Sequence, residues 1–140
     1  PSENLTDEIE RFAKENSWIN LFSHIDRDAF FGVMLNSSIY LRMNSEDSFG
    51  LVVAEAIEHG IPVIATNVCE RYPGTHLIEK DNFNLLEKVL VGIVNGKKLD
   101  SLLPIQPVSA KAISVMEFSN FNETSFFSLQ LCTRTYQIPR

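Results

Sequence analysis

Short apolar runs alternate with helical patterns along most of this 140-residue chain. The runs at 18–23, 39–43 and 62–66 have the length and apolar content of buried strands, and 75–78 is a candidate for a fourth, short one. Strands that are separated by helices of ~10–15 residues form βαβ units, which build a mostly parallel sheet. The alternation therefore predicts an α/β fold, in which ligands bind where the carboxyl ends of strands meet helix starts.

The helical patterns carry the residues that begin and end helices. Asp26 is placed to cap a helix, and Gly60 occupies the position after a helix end that favours glycine. Residues 99–109 contain two prolines and are predicted to be a connector. The predicted helices lie near 5–16, 26–36, 48–59 and 82–95, with a last helical stretch at roughly 109–137.

Composition excludes several classes of function. Twelve basic against eighteen acidic residues give a net charge of -6, which argues against nucleic-acid binding. No run reaches the ~18 apolar residues of a membrane span, and no histidines stand at metal-ligand spacing. Cys69 and Cys132 form no disulfide or metal pattern, so we expect free thiols in a reducing compartment and a cytoplasmic protein.

The helix predicted near 48–59 contains two unusual residues. Gly50 falls in its first turn, where glycine costs up to roughly 1 kcal/mol relative to alanine. The missing Cβ would open the amides of the helix start to an anionic ligand, or would allow close packing against the sheet. Glu55 lies among apolar neighbours, where an unpaired buried carboxylate is costly. It therefore binds ligand hydroxyls at the floor of a cleft or pairs with a basic residue such as Arg42 or Lys88.

Asp47 precedes Glu55 by eight residues. If Asp47 begins the helix, the two carboxylates lie ~80° apart around its axis and ~12 Å apart along it. The amides of the helix start would then lie between them, in the order in which a nucleotide sugar presents sugar hydroxyls, diphosphate and ribose hydroxyls. The alternative is that Asp47 is a simple N-cap residue.

Residues 46–66, EDSFGLVVAEAIEHGIPVIAT, resemble the donor-site signature of retaining, nucleotide-sugar-dependent glycosyltransferases with the GT-B fold. That signature consists of an acidic residue, seven intervening residues and a glutamate, followed by a glycine- and proline-containing strand start. The resemblance is looser over 19–45 and over 118–136. The positions in frame are Phe49, Gly50, Leu51, Glu55, Ala56, Gly60, Pro62, Val63, Ala65 and Thr66.

The resemblance implies a role for each residue of the site. Glu55 would bind the ribose hydroxyls of the donor, and Asp47 would be the catalytic residue, in contact with the donor sugar near its anomeric carbon. The residues implied to bind the donor, chiefly the diphosphate through backbone amides, are Ser48, Phe49, Gly50 and Leu51. No metal and no cofactor are implied, because the nucleotide-diphosphate sugar is itself the donor substrate and fixed hydrogen-bond donors stabilise the leaving group.

The resemblance also predicts the architecture, a Rossmann-like three-layer parallel sheet that corresponds to the C-terminal GT-B domain without its first two strands. Residues 1–98 would form a partial nucleotide-sugar-binding domain, and 99–140 the connector and C-terminal helix of the same domain. The chain departs from the family pattern at Asp47, where Glu is usual, and in the sequence NVCERYPG after the strand at 62–66. Because family neighbours are missing, strand 18–23 or 39–43 would lie at an incomplete sheet edge.

These expectations leave the partners and the activity open. The donor half of an enzyme needs an acceptor, which the sequence does not identify, and the missing N-terminal Rossmann domain or self-association. A non-catalytic module, truncated or decayed, would keep the fold without turnover and serve in binding or scaffolding. A nucleotide-sugar epimerase shares the architecture, but its usual signature differs from this one.

Overall fold

A computed structural model describes residues 2–106 and 130–131 of the chain. Its helices are α1 (Ser2–Glu15), α2 (Arg27–Leu35), α3 (Leu51–Glu58) and α4 (Phe83–Val94), with a 3-10 turn at Leu99–Ser101. Its strands are β1 (Ile19–Asn20), β2 (Tyr40–Arg42), β3 (Val63–Thr66), β4 (His76–Ile78) and β5 (Gln130–Leu131). No helix within the described residues is long and apolar enough to cross a membrane.

Strands β2, β3 and β4 form a three-stranded parallel sheet with β3 in the centre. Tyr40 lies opposite Val63 across the first strand pair, and Ile64 lies opposite His76 across the second. Helix α3 crosses over between β2 and β3, whereas residues 67–75 connect β3 to β4 without a helix. The predicted α/β class with a parallel sheet is confirmed. A small three-stranded parallel sheet of this kind is compatible with a Rossmann-like fold.

The side chains of β3 alternate between two cores on opposite faces of the sheet. Val63 and Ala65 pack with Met34 of α2 and with Val52 and Val53 of α3. On the other face, Ile64 packs with Ile78, Val89 of α4 and Leu103. Helices therefore cover both faces of the sheet and produce three layers, because a strand that is apolar on both sides must be enclosed on both sides.

Local capping residues define the helix ends much as predicted. The Asp26 carboxylate accepts a hydrogen bond of 2.7 Å from the amide of Ala29 at the start of α2. Asn82 caps α4 in the same way, although its donor lies 3.2 Å away. Gly60 follows α3 with a φ of 77°, and its amide donates to the carbonyl of Ile57. These contacts satisfy backbone groups that a helix end leaves unpaired.

The run predicted as a buried strand at 18–23 is shorter and less buried than expected. Strand β1 has two residues and lies outside the parallel sheet. Ile19 is buried, but Trp18, Leu21 and Phe22 are exposed. The prediction was wrong in length and burial because a strand needs a hydrogen-bonded partner as well as apolar side chains.

The partner of β1 is β5, and the two pair antiparallel with Ile19 opposite Leu131. Strand β5 lies inside the stretch 109–137, for which a helix was predicted. That prediction is wrong at 130–131, and the rest of the stretch lies outside the described residues. Strand pairing between distant segments overrides local helical periodicity here.

The two outer strands of the parallel sheet have different surroundings. At β4, the amide of Leu77 donates to the carbonyl of Pro104, and the amide of Gln106 donates to the carbonyl of Thr75 at 2.7 Å. The predicted connector therefore covers the outer edge of β4. Strand β2 is the other outer strand of this sheet, and within the described residues it pairs with β3 alone.

Two valines on α4 provide a test of the second core. Val89 is 2% exposed, and Val94, five residues later, is 76% exposed. We expect Val89→Ala to lower the free energy of unfolding by about 2 kcal/mol, because two buried methyl groups are lost and a cavity is left. Val94→Ala should change it by less than about 0.5 kcal/mol. Urea denaturation of both variants measures the difference, and equal effects would contradict this core.

Candidate functional site

The segment from 43 to 50 leaves β2 at the carboxyl edge of the sheet and leads into α3. Parallel sheets bind their ligands at this edge, so the loop is the natural place to look for a site. The hydroxyl of Thr66, at the end of β3, donates a hydrogen bond of 2.7 Å to the carbonyl of Asn44. This bond ties the loop to the neighbouring strand.

Helix α3 begins at Leu51, later than predicted, and Gly50 is its N-cap rather than part of its first turn. Gly50 has a φ of 73° and a ψ of 84°, a left-handed conformation that side chains disfavour. A Cβ at this position would lie 3.3 Å from Nε of Arg42 and 3.5 Å from a terminal nitrogen of Arg71. Glycine is therefore favoured by the left-handed backbone, and a Cβ would in addition be tight against Arg42.

The carboxylate of Asp47 is held by two arginines, and we refer to Arg42, Asp47 and Arg71 as the Asp47 cluster. Oδ1 accepts from Nη2 of Arg42 at 2.7 Å and from the amide of Ser48 at 2.9 Å. Oδ2 accepts from Nε of Arg42 and from Nη1 of Arg71, both at 2.5 Å. The pairing with Arg42 is bidentate, which is the strongest geometry for an arginine and a carboxylate.

Hydrogen bonds within the Asp47 cluster change the pKa values of Asp47 and Arg42. Burial alone would raise the pKa of Asp47, but hydrogen bonds from Arg42 and Arg71 outweigh it and lower the pKa to about 2. The hydrogen bond to Asp47 in turn raises the pKa of Arg42. Asp47 and Arg42 are therefore both charged at neutral pH. The side chains of the Asp47 cluster are at most 9% exposed.

Arg71 connects the Asp47 cluster to β3. Its side chain is fully buried, and its Nε donates to the carbonyl of Thr66 at 3.0 Å. Its Nη1 also reaches the carbonyl of Ser48 at 3.3 Å. Arg71 was not among the predicted site residues, although the loop NVCERYPG that contains it departs from the family pattern. The signal available was a single basic residue between two buried strands.

Glu55 lies on α3 and forms an ion pair with Arg27 of α2. Its side chain is 26% exposed and that of Arg27 is 62% exposed. Arg27 also lies over the ring of Phe31, with its guanidinium carbon 5.0 Å from the centroid. Of the two alternatives for Glu55, the structure shows a basic partner, but the predicted partners Arg42 and Lys88 are wrong.

The structure brings the predicted loop residues together and places Asp47 differently from the geometry considered above. Asp47 lies four residues before the first residue of α3, so it neither begins the helix nor caps it. The amide of Ser48, expected to face a diphosphate, donates instead to Asp47. The Phe49 ring packs edge-on against Tyr72 with centroids 6.3 Å apart, and Leu51 is exposed.

The other reactive side chains near the loop take part in structural contacts. The thiol of Cys69 donates to the carbonyl of Ser48 at 3.1 Å, and burial raises the pKa of this thiol. Tyr72 donates to Glu58, and that hydrogen bond raises the pKa of the tyrosine. Within the described residues, no group of three or more His, Cys, Asp or Glu side chains is arranged to hold a metal ion.

The lowered pKa of Asp47 predicts a pH-dependent contribution to stability. Because the folded pKa is about 2 and the ordinary value is 3.8, the contribution is complete above about pH 5 and is lost as the pH falls toward 2. Asp47→Asn should cost about 3–5 kcal/mol at pH 6, since it leaves two buried arginines without their anion. The difference in unfolding free energy between Asp47→Asn and the parent should be about 1 kcal/mol smaller at pH 3 than at pH 6.

Urea denaturation of both proteins at the two pH values checks this expectation. Glu46→Gln is the matched control, because it changes the adjacent exposed carboxylate. It should alter the unfolding free energy by less than about 0.5 kcal/mol at either pH. If Asp47→Asn lowers the unfolding free energy by the same amount at both pH values, the arginines do not lower the pKa of the Asp47 carboxylate.

Comparisons with known proteins do not identify the chain. Neither a protein-family model, nor a curated protein, nor a solved structure matches it. The function must therefore be inferred from the site itself and from the frame of residues 46–66.

Proposed function

We propose that this chain is the donor-binding part of a glycosyltransferase that transfers a sugar from a nucleotide-diphosphate sugar with retention of configuration. The observation that carries the proposal is the environment of Glu55, at the position of the family's ribose-binding glutamate. Its carboxylate is partly open to solvent, and its partner Arg27 is a mostly exposed side chain. A ligand hydroxyl can therefore replace Arg27 without opening the core.

The energies favour such an exchange. An exposed ion pair contributes a median of about 0–1 kcal/mol, since water screens it. Hydrogen bonds from ribose hydroxyls to a carboxylate contribute about 1.5–3 kcal/mol each. The two vicinal hydroxyls of a ribose match the two oxygens of Glu55, so a nucleotide outcompetes Arg27 for this carboxylate.

The rest of the donor-site frame lies at the edge of the sheet where a diphosphate would bind. Residues 47–51 run from the second half of the loop after β2 into the first residue of α3, and 62–66 include β3. Helix starts attract anions through their amides and dipole. In the proposed complex, the backbone near Phe49 and Gly50 faces the diphosphate.

Asp47 has a different role in this proposal from the one that the family resemblance implies. Both of its oxygens are engaged by arginines, so its first task is to hold the loop. A direct contact with the donor sugar would require one arginine hydrogen bond to be released on binding. In the absence of ligand, Asp47 therefore contributes to the site by holding the loop and not by contacting the donor sugar.

A non-catalytic binding module is the second candidate, and the engagement of Asp47 favours it. Such a module binds the nucleotide sugar but does not cleave it. As the donor half of an enzyme, the chain would instead need an acceptor site from another Rossmann domain or an associated chain. The reducing cytoplasm is the proposed location, because the two cysteines of the sequence form no disulfide or metal pattern. Release of free sugar or its transfer to an acceptor, measured with the partner present, separates the two candidates.

Calorimetric titration with uridine, guanosine, adenosine and cytidine diphosphates tests the proposed site. One of the four should bind the parent chain, and Glu55→Gln should weaken its binding by about 1–3 kcal/mol, because the ribose hydroxyls lose a charged acceptor. Removing the 2′-hydroxyl from that nucleotide should cost less binding free energy in Glu55→Gln than in the parent, because the charged acceptor of this hydroxyl is already gone.

Arg27→Gln is the matched control for this experiment. It removes the same ion pair but keeps the Glu55 carboxylate, so it should bind the nucleotide at least as tightly as the parent. If both variants lose affinity equally, the ion pair supports the fold and Glu55 binds no ribose. If the parent binds none of the four nucleotides, the proposed function is wrong.

A further inference from the structure

Arg71 is a fully buried cation that the proposed donor site does not use directly. It joins three segments at the carboxyl edge: the end of β3 through Thr66, the loop before α3 through Asp47 and Ser48, and its own loop after β3. Arg71 also lies close to Gly50, the N-cap residue of α3. A single guanidinium therefore links the two loops of this edge to each other and to the end of β3.

The chemistry of this contact is costly and specific. A buried cation must recover its hydration through hydrogen bonds, and buried ion pairs can often be replaced by apolar side chains without loss of stability. The guanidinium of Arg71 instead donates to Asp47, to the carbonyls of Thr66 and Ser48, and to the hydroxyl of Thr66 at 3.4 Å. The planar guanidinium presents several donors that match these acceptors. A lysine ammonium, which is a compact point charge, would not match them.

We propose that Arg71 is the positioning residue for diphosphate recognition, an inference that rests on the proposed function. Acting through Asp47 and Ser48, it holds residues 48–50 so that the backbone at the start of α3 is prearranged for the diphosphate. Arg71 itself touches no ligand, because its side chain is fully buried. The ribose is recognised separately, by Glu55 on the following turns of α3.

This division of labour predicts which part of the affinity depends on Arg71. Arg71→Met keeps a long apolar stem and removes the donors. It should weaken nucleoside diphosphate binding about tenfold or more while changing the affinity for the corresponding nucleoside less than about twofold. Arg71→Lys, which keeps the cation and one donor group, should recover part of the loss. The ratio of the two dissociation constants, from calorimetric titration, is the quantity to compare.

A structural role alone would not change this ratio. Arg11→Gln is the control, since it removes an exposed arginine of α1 that lies outside the Asp47 cluster and outside residues 46–66, and it should leave the ratio at the parent value. An unchanged ratio in folded Arg71→Met, or equal weakening for both ligands, would overturn the inference. If the methionine variant does not fold, Arg71→Lys supplies the same comparison with a smaller expected change.

Amide hydrogen exchange without ligand tests the positioning independently of nucleotide binding. In Arg71→Lys, exchange should be faster at 44–51, which the Asp47 cluster ties to the end of β3, and unchanged in α4, which contributes no residue to the cluster. If the loop is unaffected, Arg71 does not position it and the inference is wrong. If the loop responds but the parent binds no nucleotide, the proposed function fails, and with it the assignment of the loop to a diphosphate.

Discussion

The structure depends on the enclosure of β3 from both sides. All four residues of this strand are buried, and it forms parallel hydrogen bonds with a neighbour on each edge. Its alternate side chains therefore require two separate cores, which α2 and α3 supply on one face and α4 with residues 99–103 on the other. The three layers, and the position of the loop before α3, follow from this requirement.

Where β3 ends, the environment changes from apolar to ionic. Thr66 is the last residue of the strand, and the chain then turns so that Arg71 folds back onto its carbonyl. Asp47 reaches the same place from the neighbouring strand and neutralises part of the charge of two arginines. The edge of the sheet is thus held together by ion pairs and hydrogen bonds within the protein itself.

Much of the fold could be predicted because it rests on local signals. Asp26 and Gly60 marked helix ends by their side-chain chemistry and backbone freedom, and the apolar runs at β2 and β3 were short enough to be strands. The start of α3 was misplaced because a left-handed Gly50 and a helical Gly50 look alike in sequence. Strand β1 was overestimated because its partner β5 lies more than a hundred residues away.

By itself, the sequence determined most of the element types, the strand–loop–helix context of residues 47–51 and the position of Glu55 among the apolar residues of α3. Only the tertiary structure decided which cations meet which carboxylates. Arg71 lies 24 residues from Asp47, and Arg27 lies 28 residues from Glu55. Such pairs leave no periodic trace in the chain, because they depend on how two elements approach in space and on which groups must be paired once they are removed from water.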